Sequence, residues 1–221
     1  QAVCLLGEQG AALRIDFFPL RHAAVPFPER FTVVAAHSLV RAAKTENALL
    51  LYNRRPAECR LATALINGLH APDPPMNRLG DLPRTGLIGK YGGVREFIDR
   101  TFPEESYSLS RIAELAGTDG SALAERCLLT RSGALMPEPQ DGFRLRSRAL
   151  HVLTEAGRVE ESCSALSRGD APAFGRLMNE SHESCDRWYG ISTPELNALV
   201  RIMREGMIRR AGFTVEVGYS G

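Results

Sequence analysis

The stretch LRSRALHVLTEAGRVEESCSAL, residues 145–166, carries the clearest periodicity in the sequence. Its apolar positions recur with spacings that alternate between four and three residues: Leu145, Ala149, Val152, Ala156, Val159, Cys163 and Leu166. Residues spaced in this way lie on one face of an α-helix, so the pattern predicts one helix of about 25 residues. Its apolar stripe has to pack against other elements of a folded domain.

The residues before this helix predict strands and a second long helix. Residues 1–20 predict a hairpin, because apolar runs lie on both sides of a turn that contains two glycines. The β-branched run Phe31–Ala36 predicts a buried strand. Residues 45–69 predict a helix with a kink or a restart at Pro56, because proline lacks the N–H that a helix interior uses.

Turn and capping residues organise the rest of the chain. Prolines and glycines crowd Ala71–Gly93, which predicts a surface loop or an insertion. Helices are expected after four N-cap residues, since Ser, Asp and Thr are favoured there: Ser108, Asp119, Asp170 and Thr193. Strands early in the chain and packed helices late indicate an α+β fold.

Composition excludes several classes of protein. The 221 residues are 44% hydrophobic and 24% charged, with a net charge of +1, which argues against disorder and against a dedicated nucleic-acid binder. No apolar run approaches the roughly 20 residues that span a membrane. The five scattered cysteines contain no CxxC pair, which argues against a zinc site and favours reduced thiols. With no secretory signal, these thiols favour a cytoplasmic protein, unless a targeting segment precedes Gln1.

Four segments, in order, carry a family pattern. Residues 33–40 are similar to the run "ANS.V", with Lys44 close behind, and residues 52–62 are similar to "YN.R..ECR.A". Residues 148–159 are similar to "RA.HV..EA.RV", and residues 177–196 to "LMN.SH.S...Y..S.PEL". Together they resemble the galactokinase and N-acetylgalactosamine kinase family of the GHMP kinase superfamily.

The resemblance implies the carboxy-terminal half of such an enzyme. Residues 1–24 would be a remnant hairpin of the amino-terminal lobe, and residues 25–221 the carboxy-terminal lobe, an antiparallel sheet packed with helices. Its inserted loop and short helices would lie at about residues 71–140. In the family, a phosphate loop and a "GGMDQ" turn with the catalytic aspartate lie upstream of the position of Gln1. The closing "TGAGWGG" segment is expected after Gly206, and Met207–Gly221 does not show it.

The resemblance also implies the chemistry and its residues. The intact enzyme would use ATP and Mg²⁺ to phosphorylate the anomeric hydroxyl of galactose or N-acetylgalactosamine. Lys44, one of only two lysines, would be catalytic beside the transferred phosphoryl group. Tyr52 would bind the sugar, and Ser38 either contacts substrate or caps the next segment. His37 stands where the family has asparagine, which favours a structural role for it.

Other polar residues in the matched segments are interpreted as structural. The cations Arg54, Arg55 and Arg60 are expected to be solvated on a helix. Helical neighbours are expected to pair along the later helix: Arg148, His151, Glu155 and Arg158. A nucleophile formed by Cys185 with His182 is disfavoured, because helical neighbours rarely bring a base and an oxyanion hole together.

The resemblance also implies the partners of the chain. The expected partners are the missing amino-terminal half or other protein subunits, and a hexose. Alone, the fragment is expected to be inactive and to hold neither ATP nor Mg²⁺ tightly.

Two other functions stay open at this stage. The first alternative is a catalytically dead lobe that serves as a structural or binding subunit of a larger assembly. A third possibility is a sensor that binds a sugar without turnover.

Overall fold

The computed structural model describes residues 2–33, 35–38, 46–130 and 132–211, and only the backbone of residues 46–49 and 206–211. Its regular elements are, in chain order, helix α1 (Ala2–Leu6), strands β1 (Ala11–Phe17) and β2 (Leu20–Pro26), and helices α2 (Glu46–His70), α3 (Leu87–Tyr91), α4 (Val94–Thr101), α5 (Leu109–Ala116), α6 (Gly120–Leu128), α7 (Leu145–Ser167), α8 (Ala171–Ser184) and α9 (Pro194–Ala211). A 3₁₀ helix spans Leu79–Thr85, and a π-helical turn spans Cys185–Tyr189. Helices and a two-stranded antiparallel sheet give the expected α+β composition.

The predicted hairpin exists, but one strand further along the chain. Ala2–Leu6 is a short helix, and β1 pairs with β2, from Ala11 opposite Pro26 to Phe17 opposite Leu20. The prediction placed the turn at residues 7–10, on Gly7 and Gly10, and ended the second strand at Pro19. Pro19 instead lies in the turn and Pro26 at the end of β2, where a sheet tolerates proline.

The strand predicted at Phe31–Ala36 is wrong for the residues described there. Residues 31–33, 35 and 36 lie outside helices and strands, and Val33 is 78% exposed. An apolar β-branched run forms a strand only when a neighbouring strand takes up its backbone hydrogen bonds. The described sheet consists of β1 and β2 alone and provides no such neighbour.

Segment 71–93 contains two short helices where the sequence predicted a loop or an insertion. It holds the 3₁₀ helix Leu79–Thr85 and helix α3, and both carry leucines into the core: Leu79, Leu82 and Leu87. Gly86 and Gly92, with φ of 75° and 86°, end the two short helices in the left-handed conformation that glycine adopts most easily. The glycines and prolines here therefore punctuate helices rather than form one long loop.

The capping predictions are confirmed. The Ser108 hydroxyl accepts a hydrogen bond from the Arg111 N–H at 3.1 Å, and Asp119 caps α6 in the same way. Asp170 accepts from the Ala173 N–H at 3.0 Å at the start of α8. These local signals are reliable because each cap satisfies a backbone donor only three residues away.

The described chain forms two compact units. The first comprises the described parts of Gln1–Val40, Gly157–Asp186 and Ile191–Gly221, and the second those of Arg41–Ala156 and Arg187–Gly190. The lobe boundary expected near residue 24 stays a prediction. Over the residues described, no helix combines the length and hydropathy that crossing a membrane requires.

The second unit is built around α2. The middle of that helix, with Leu61 and Leu65, is buried in a core to which every later helix of the unit contributes: Leu87, Phe97, Ile112, Leu123 and Leu145. α2 and α5 touch at Gly68, where a Cβ would lie 2.5 Å from the backbone oxygen of Ala116. The predicted restart at Pro56 does not occur, since α2 runs through it without interruption.

A buried ion pair joins α2 to α7 inside this unit. Glu58 is completely buried, and its Oε2 accepts a hydrogen bond of 2.5 Å from Arg148 Nε. Its Oε1 accepts from Arg54 Nε at 2.8 Å and from the Arg144 N–H at 2.9 Å. Arg148 was expected to pair along its own helix, and its folding role is confirmed with a partner on a different helix. Three donors around one carboxylate offset the cost of burying its charge.

Replacing Glu58 with Gln should lower the free energy of unfolding by about 3–5 kcal/mol, because Arg148 would keep its buried charge without a counter-ion. The measurement is urea unfolding followed by the fluorescence of Trp188, the only tryptophan in the sequence. The matched control is Asp99→Asn, which breaks the half-exposed Arg146–Asp99 pair and should cost less than about 1 kcal/mol. Equal losses in the two variants would contradict the importance of the buried pair.

In the first unit, polar contacts tie the hairpin and helices together. Arg14 of β1 donates two hydrogen bonds to Glu160 of α7, at 2.7 and 2.5 Å. His182 of α8 is 6% exposed and hydrogen-bonds with Asn197 of α9. Burial, reinforced by the nearby charge of Arg204, lowers the pKa of His182 below its ordinary value. The folded unit therefore favours the neutral imidazole.

Stability should fall as the pH drops below about 6.5, the ordinary pKa of an unfolded histidine. The unfolded chain binds the proton at His182 more readily than the folded chain does, so acid favours unfolding, by at most about 1.4 kcal/mol per pH unit for one group. Melting temperatures between pH 7.5 and 5 test this. His182→Gln should make the profile shallower, with burial of His70 still contributing because it lowers the pKa of that residue as well, whereas His22→Gln, at an exposed position of β2, should leave the slope unchanged. Identical profiles for both variants would contradict the assignment to His182.

Candidate functional site

The residues predicted to act on substrate fall in three places. Lys44 lies outside the described residues. Ser38 is half-buried in a segment without regular structure. Tyr52 lies near the start of α2 and is 69% exposed. The structure therefore gives geometry around Tyr52 and leaves its relation to Lys44 as a prediction.

Tyr52 is the most exposed of a run of apolar side chains at this end of α2. Leu50 is 44% exposed and Leu51 is 55% exposed, whereas the buried side of the helix begins at Ala57. A phenol in such a position can donate and accept hydrogen bonds and can lie against the apolar face of a pyranose. That chemistry suits a sugar and is available to solvent here.

Two neighbouring arginines anchor this end of α2. Arg54 donates to Asp141 Oδ1 at 2.9 Å and to the Gly142 carbonyl at 2.6 Å, besides its bond to Glu58. Arg55 donates from Nε to the Tyr189 carbonyl at 3.0 Å and from Nη2 to the Gly190 carbonyl. Their interpretation as structural residues is confirmed, but their expected solvation is wrong, because their donors are used inside the protein. The same holds for Arg60, whose Nε donates to the Cys127 carbonyl at 2.8 Å.

The ring of Tyr189 is enclosed by motif residues. His151 stacks on it with 4.3 Å between ring centroids and 22° between planes. The Cζ atoms of Arg55 and Arg148 lie 5.8 and 5.5 Å from the ring centroid. Burial raises the pKa of the Tyr189 phenol, against the opposing effect of the charges of Arg148 and Arg55. Tyr189 is therefore neutral at physiological pH.

The cysteines present no nucleophile in this part of the molecule. All five are free of disulfides, and only Cys4 is exposed. Burial raises the pKa of Cys59, next to Glu58, to about 11, so the thiolate is scarce at neutral pH. Where residues are described, no cluster of His, Cys, Asp and Glu side chains could hold a metal ion.

Sequence reasoning missed Glu58 and Tyr189. A signal existed for Glu58, which precedes Leu61 and Leu65 by three and seven residues and so shares their buried face. A charge on a buried face requires a partner. No local signal existed for Tyr189, whose hydrogen-bond partner Arg55 lies 134 residues away in sequence.

Comparison with known proteins shows that the chain is similar to galactokinases along most of its length. The chain is 28% identical to a galactokinase of Dictyostelium discoideum over 228 residues, which covers 93% of this chain and 44% of that protein. It is 30% identical to a galactokinase of Canis lupus familiaris, over 90% of this chain and 36% of that protein. Over 61 residues, or 28% of this chain and 15% of that protein, it is 51% identical to human galactokinase.

The similarity covers only part of each galactokinase, and it is not accompanied by a match to a family model. No protein-family model matches the chain. The chain spans less than half the length of the curated galactokinases that it matches along most of its own length. The resemblance predicted from the four motif segments is confirmed, and the chain is a relative of the galactokinases that corresponds to about two fifths of such a protein.

Proposed function

We propose that the protein to which these 221 residues belong is a sugar kinase of the galactokinase type. It transfers the γ-phosphoryl group of ATP, with Mg²⁺, to the anomeric hydroxyl of galactose or N-acetylgalactosamine. The observation that carries the proposal is the similarity to galactokinases over 90% or more of this chain. The described elements then belong to the carboxy-terminal lobe of a GHMP kinase, preceded by a hairpin of the amino-terminal lobe.

Tyr52 is the sugar contact in this proposal. Its exposed phenol supports that role, because a polyol needs both donors and acceptors and an apolar surface for its ring. The two arginines that follow Tyr52 are bound to backbone carbonyls and carboxylates, so they hold the helix in place and are unavailable as ligands for phosphate.

Lys44 and Ser38 complete the proposed set. A fixed positive charge at Lys44 would stabilise the negative charge that develops on the transferred phosphoryl group. Ser38 supplies a hydroxyl to the substrate or caps the segment that follows it. ATP and Mg²⁺ are assigned to no residue of this chain, and the group that accepts the sugar proton belongs to the aspartate turn upstream in the family.

The isolated 221-residue chain should form no galactose 1-phosphate from galactose, ATP and Mg²⁺. Positioning and charge stabilisation provide most of phosphoryl-transfer catalysis, and the phosphate loop and proton acceptor are family segments outside these residues. The measurement is product formation by the chain and by the native protein purified from its source, with the intact mass of each determined.

The native protein should be active if the proposal is correct. Activity of the isolated chain would contradict the assignment of the catalytic aspartate to another segment. An inactive native protein that copurifies with unrelated subunits would instead favour a catalytically dead lobe in an assembly. Thermal shift with galactose and with ATP separates that outcome from a sugar sensor, because a ligand that binds the folded state raises the melting temperature.

In the native protein, Tyr52→Phe should raise the KM for galactose by roughly 3- to 10-fold, as expected for the loss of one hydrogen bond. Lys44→Met should instead lower kcat by about 10²- to 10³-fold, because its charge would act on the transition state. Steady-state kinetics with each substrate distinguish the two effects. Tyr91→Phe is the matched control and should change neither constant; an unchanged KM in Tyr52→Phe would contradict the sugar contact.

A further inference from the structure

The amino-terminal end of α2, residues 50–55, is held by polar contacts rather than by apolar packing. Leu50, Leu51 and Tyr52 are all at least 44% exposed, and the apolar core takes up the helix only from Ala57 onward. The hydrophobic effect therefore contributes little to where Tyr52 lies. Its position has to be set by other contacts.

Proline removes a further restraint at the same place. Pro56 lies inside α2 and has no N–H, so it cannot donate the helical hydrogen bond to the carbonyl four residues earlier. That carbonyl belongs to Tyr52. The helical turn that carries Tyr52 is thus joined to the rest of α2 by one backbone bond fewer than an ordinary turn.

The side chain of Arg55 restrains this turn in place of the missing backbone hydrogen bond. Its side chain leaves α2 one residue before Pro56 and donates to two successive carbonyls, those of Tyr189 and Gly190. Its Cζ lies 5.8 Å from the centroid of the Tyr189 ring, within the range of a cation–π interaction. We call these contacts between Arg55 and residues 189–190 the clamp.

The far side of the clamp is itself rigidly held. His151 stacks on the Tyr189 ring, and Arg148 donates to the Trp188 carbonyl at 2.5 Å while its other nitrogen binds Glu58. Residues 188–190 are therefore bonded to the part of α7 that belongs to the same unit, which ends at Ala156. A contact with a fixed platform restrains a helix end more than a contact with a mobile side chain would.

We propose that Arg55 and Tyr189 are positioning residues for Tyr52: the clamp fixes the turn of α2 whose helical bonding Pro56 interrupts, and so orients the phenol that meets the sugar. Residues three apart on a helix share a face, so the clamp and Tyr52 lie on the same side of α2. The step from phenol orientation to sugar binding rests on the function proposed above.

The position of Tyr52 can be tested without any ligand. The full chain labelled with 3-fluorotyrosine should give five ¹⁹F signals, one for each tyrosine, assigned by single Tyr→Phe replacements. Arg55→Met and Tyr189→Leu should both shift the Tyr52 signal. Tyr189→Phe, which keeps the aromatic ring, should leave the Tyr52 signal where it is in the wild-type chain. Far-UV circular dichroism, rather than the fluorescence of Trp188, shows that each variant is folded, since Trp188 lies beside the clamp and would respond to it directly. An unmoved Tyr52 signal in the folded Arg55→Met and Tyr189→Leu variants would overturn the proposal.

The chain offers a matched control at Tyr91. Its ring also meets a histidine, His70, with centroids 5.5 Å apart, and an arginine, Arg100, whose Cζ is 5.9 Å away. Tyr91→Leu removes the same kind of contacts in the same unit but touches no part of the clamp. It should leave the Tyr52 signal in place, and a shift as large as that in Tyr189→Leu would mean that general destabilisation moves Tyr52.

Galactose titration then separates this inference from the proposed function. With the Tyr52 signal as readout, Tyr189→Leu should bind galactose about 3- to 10-fold more weakly than the wild-type chain, the effect of losing one partly exposed cation–π contact. Tyr189→Phe should bind as the wild-type chain does. If galactose moves the Tyr52 signal in this chain no more than a non-sugar control does, and Tyr52→Phe leaves the KM of the native protein unchanged, the sugar contact fails, while the ligand-free shifts still decide whether the clamp exists. Equal affinity in all variants despite a displaced Tyr52 signal would overturn the link to sugar binding.

Discussion

The carboxylate of Glu58 has no contact with solvent, and a buried charge persists only if positive groups and hydrogen-bond donors surround it. Arg148 from α7, Arg54 from α2 itself and the N–H of Arg144 supply them. Because each of these donors has a fixed direction, the carboxylate sets how α2 and the start of α7 face each other. An apolar contact of the same size would tolerate sliding and rotation, since the hydrophobic effect has no preferred direction.

The same ion pair explains why the motif residues lie together. Arg148 holds Glu58 with one nitrogen and the Trp188 carbonyl with another, so residues 187–190 are placed by the helix pair. His151, one turn after Arg148, then stacks on Tyr189. Three of the four matched segments, residues 52–62, 148–159 and 177–196, thus meet through these contacts. The contacts stabilise the fold. Their presence in this chain supports the shared architecture more directly than it supports any single chemical step.

Sequence reasoning succeeded where the cause was local and failed where it was distant. The cap at Asp170 and the helix after Leu145 depend on residues within a few positions of each other, which a pattern shows directly. Strand pairing does not: the partner of β1 is chosen by the turn at Pro19, and a period-two pattern contains no information on that choice. The solvated character expected of Arg55 was wrong for the same reason, because its acceptors are 134 residues or more away in sequence.

In the candidate site, the position of Tyr52 on α2 depends on contacts with residues that are distant in sequence. Tyr52 was found from its motif, but the motif does not say what holds it, since Leu50 and Leu51 beside it are exposed. Pro56 in the same motif removes the bond that would tie the Tyr52 carbonyl to the next turn. A helix that places an interior proline four residues after an exposed aromatic side chain needs a restraint from outside the helix. Arg54 and Arg55, which lie between the two, provide it by reaching acceptors in two separate segments, near Asp141 and near Tyr189.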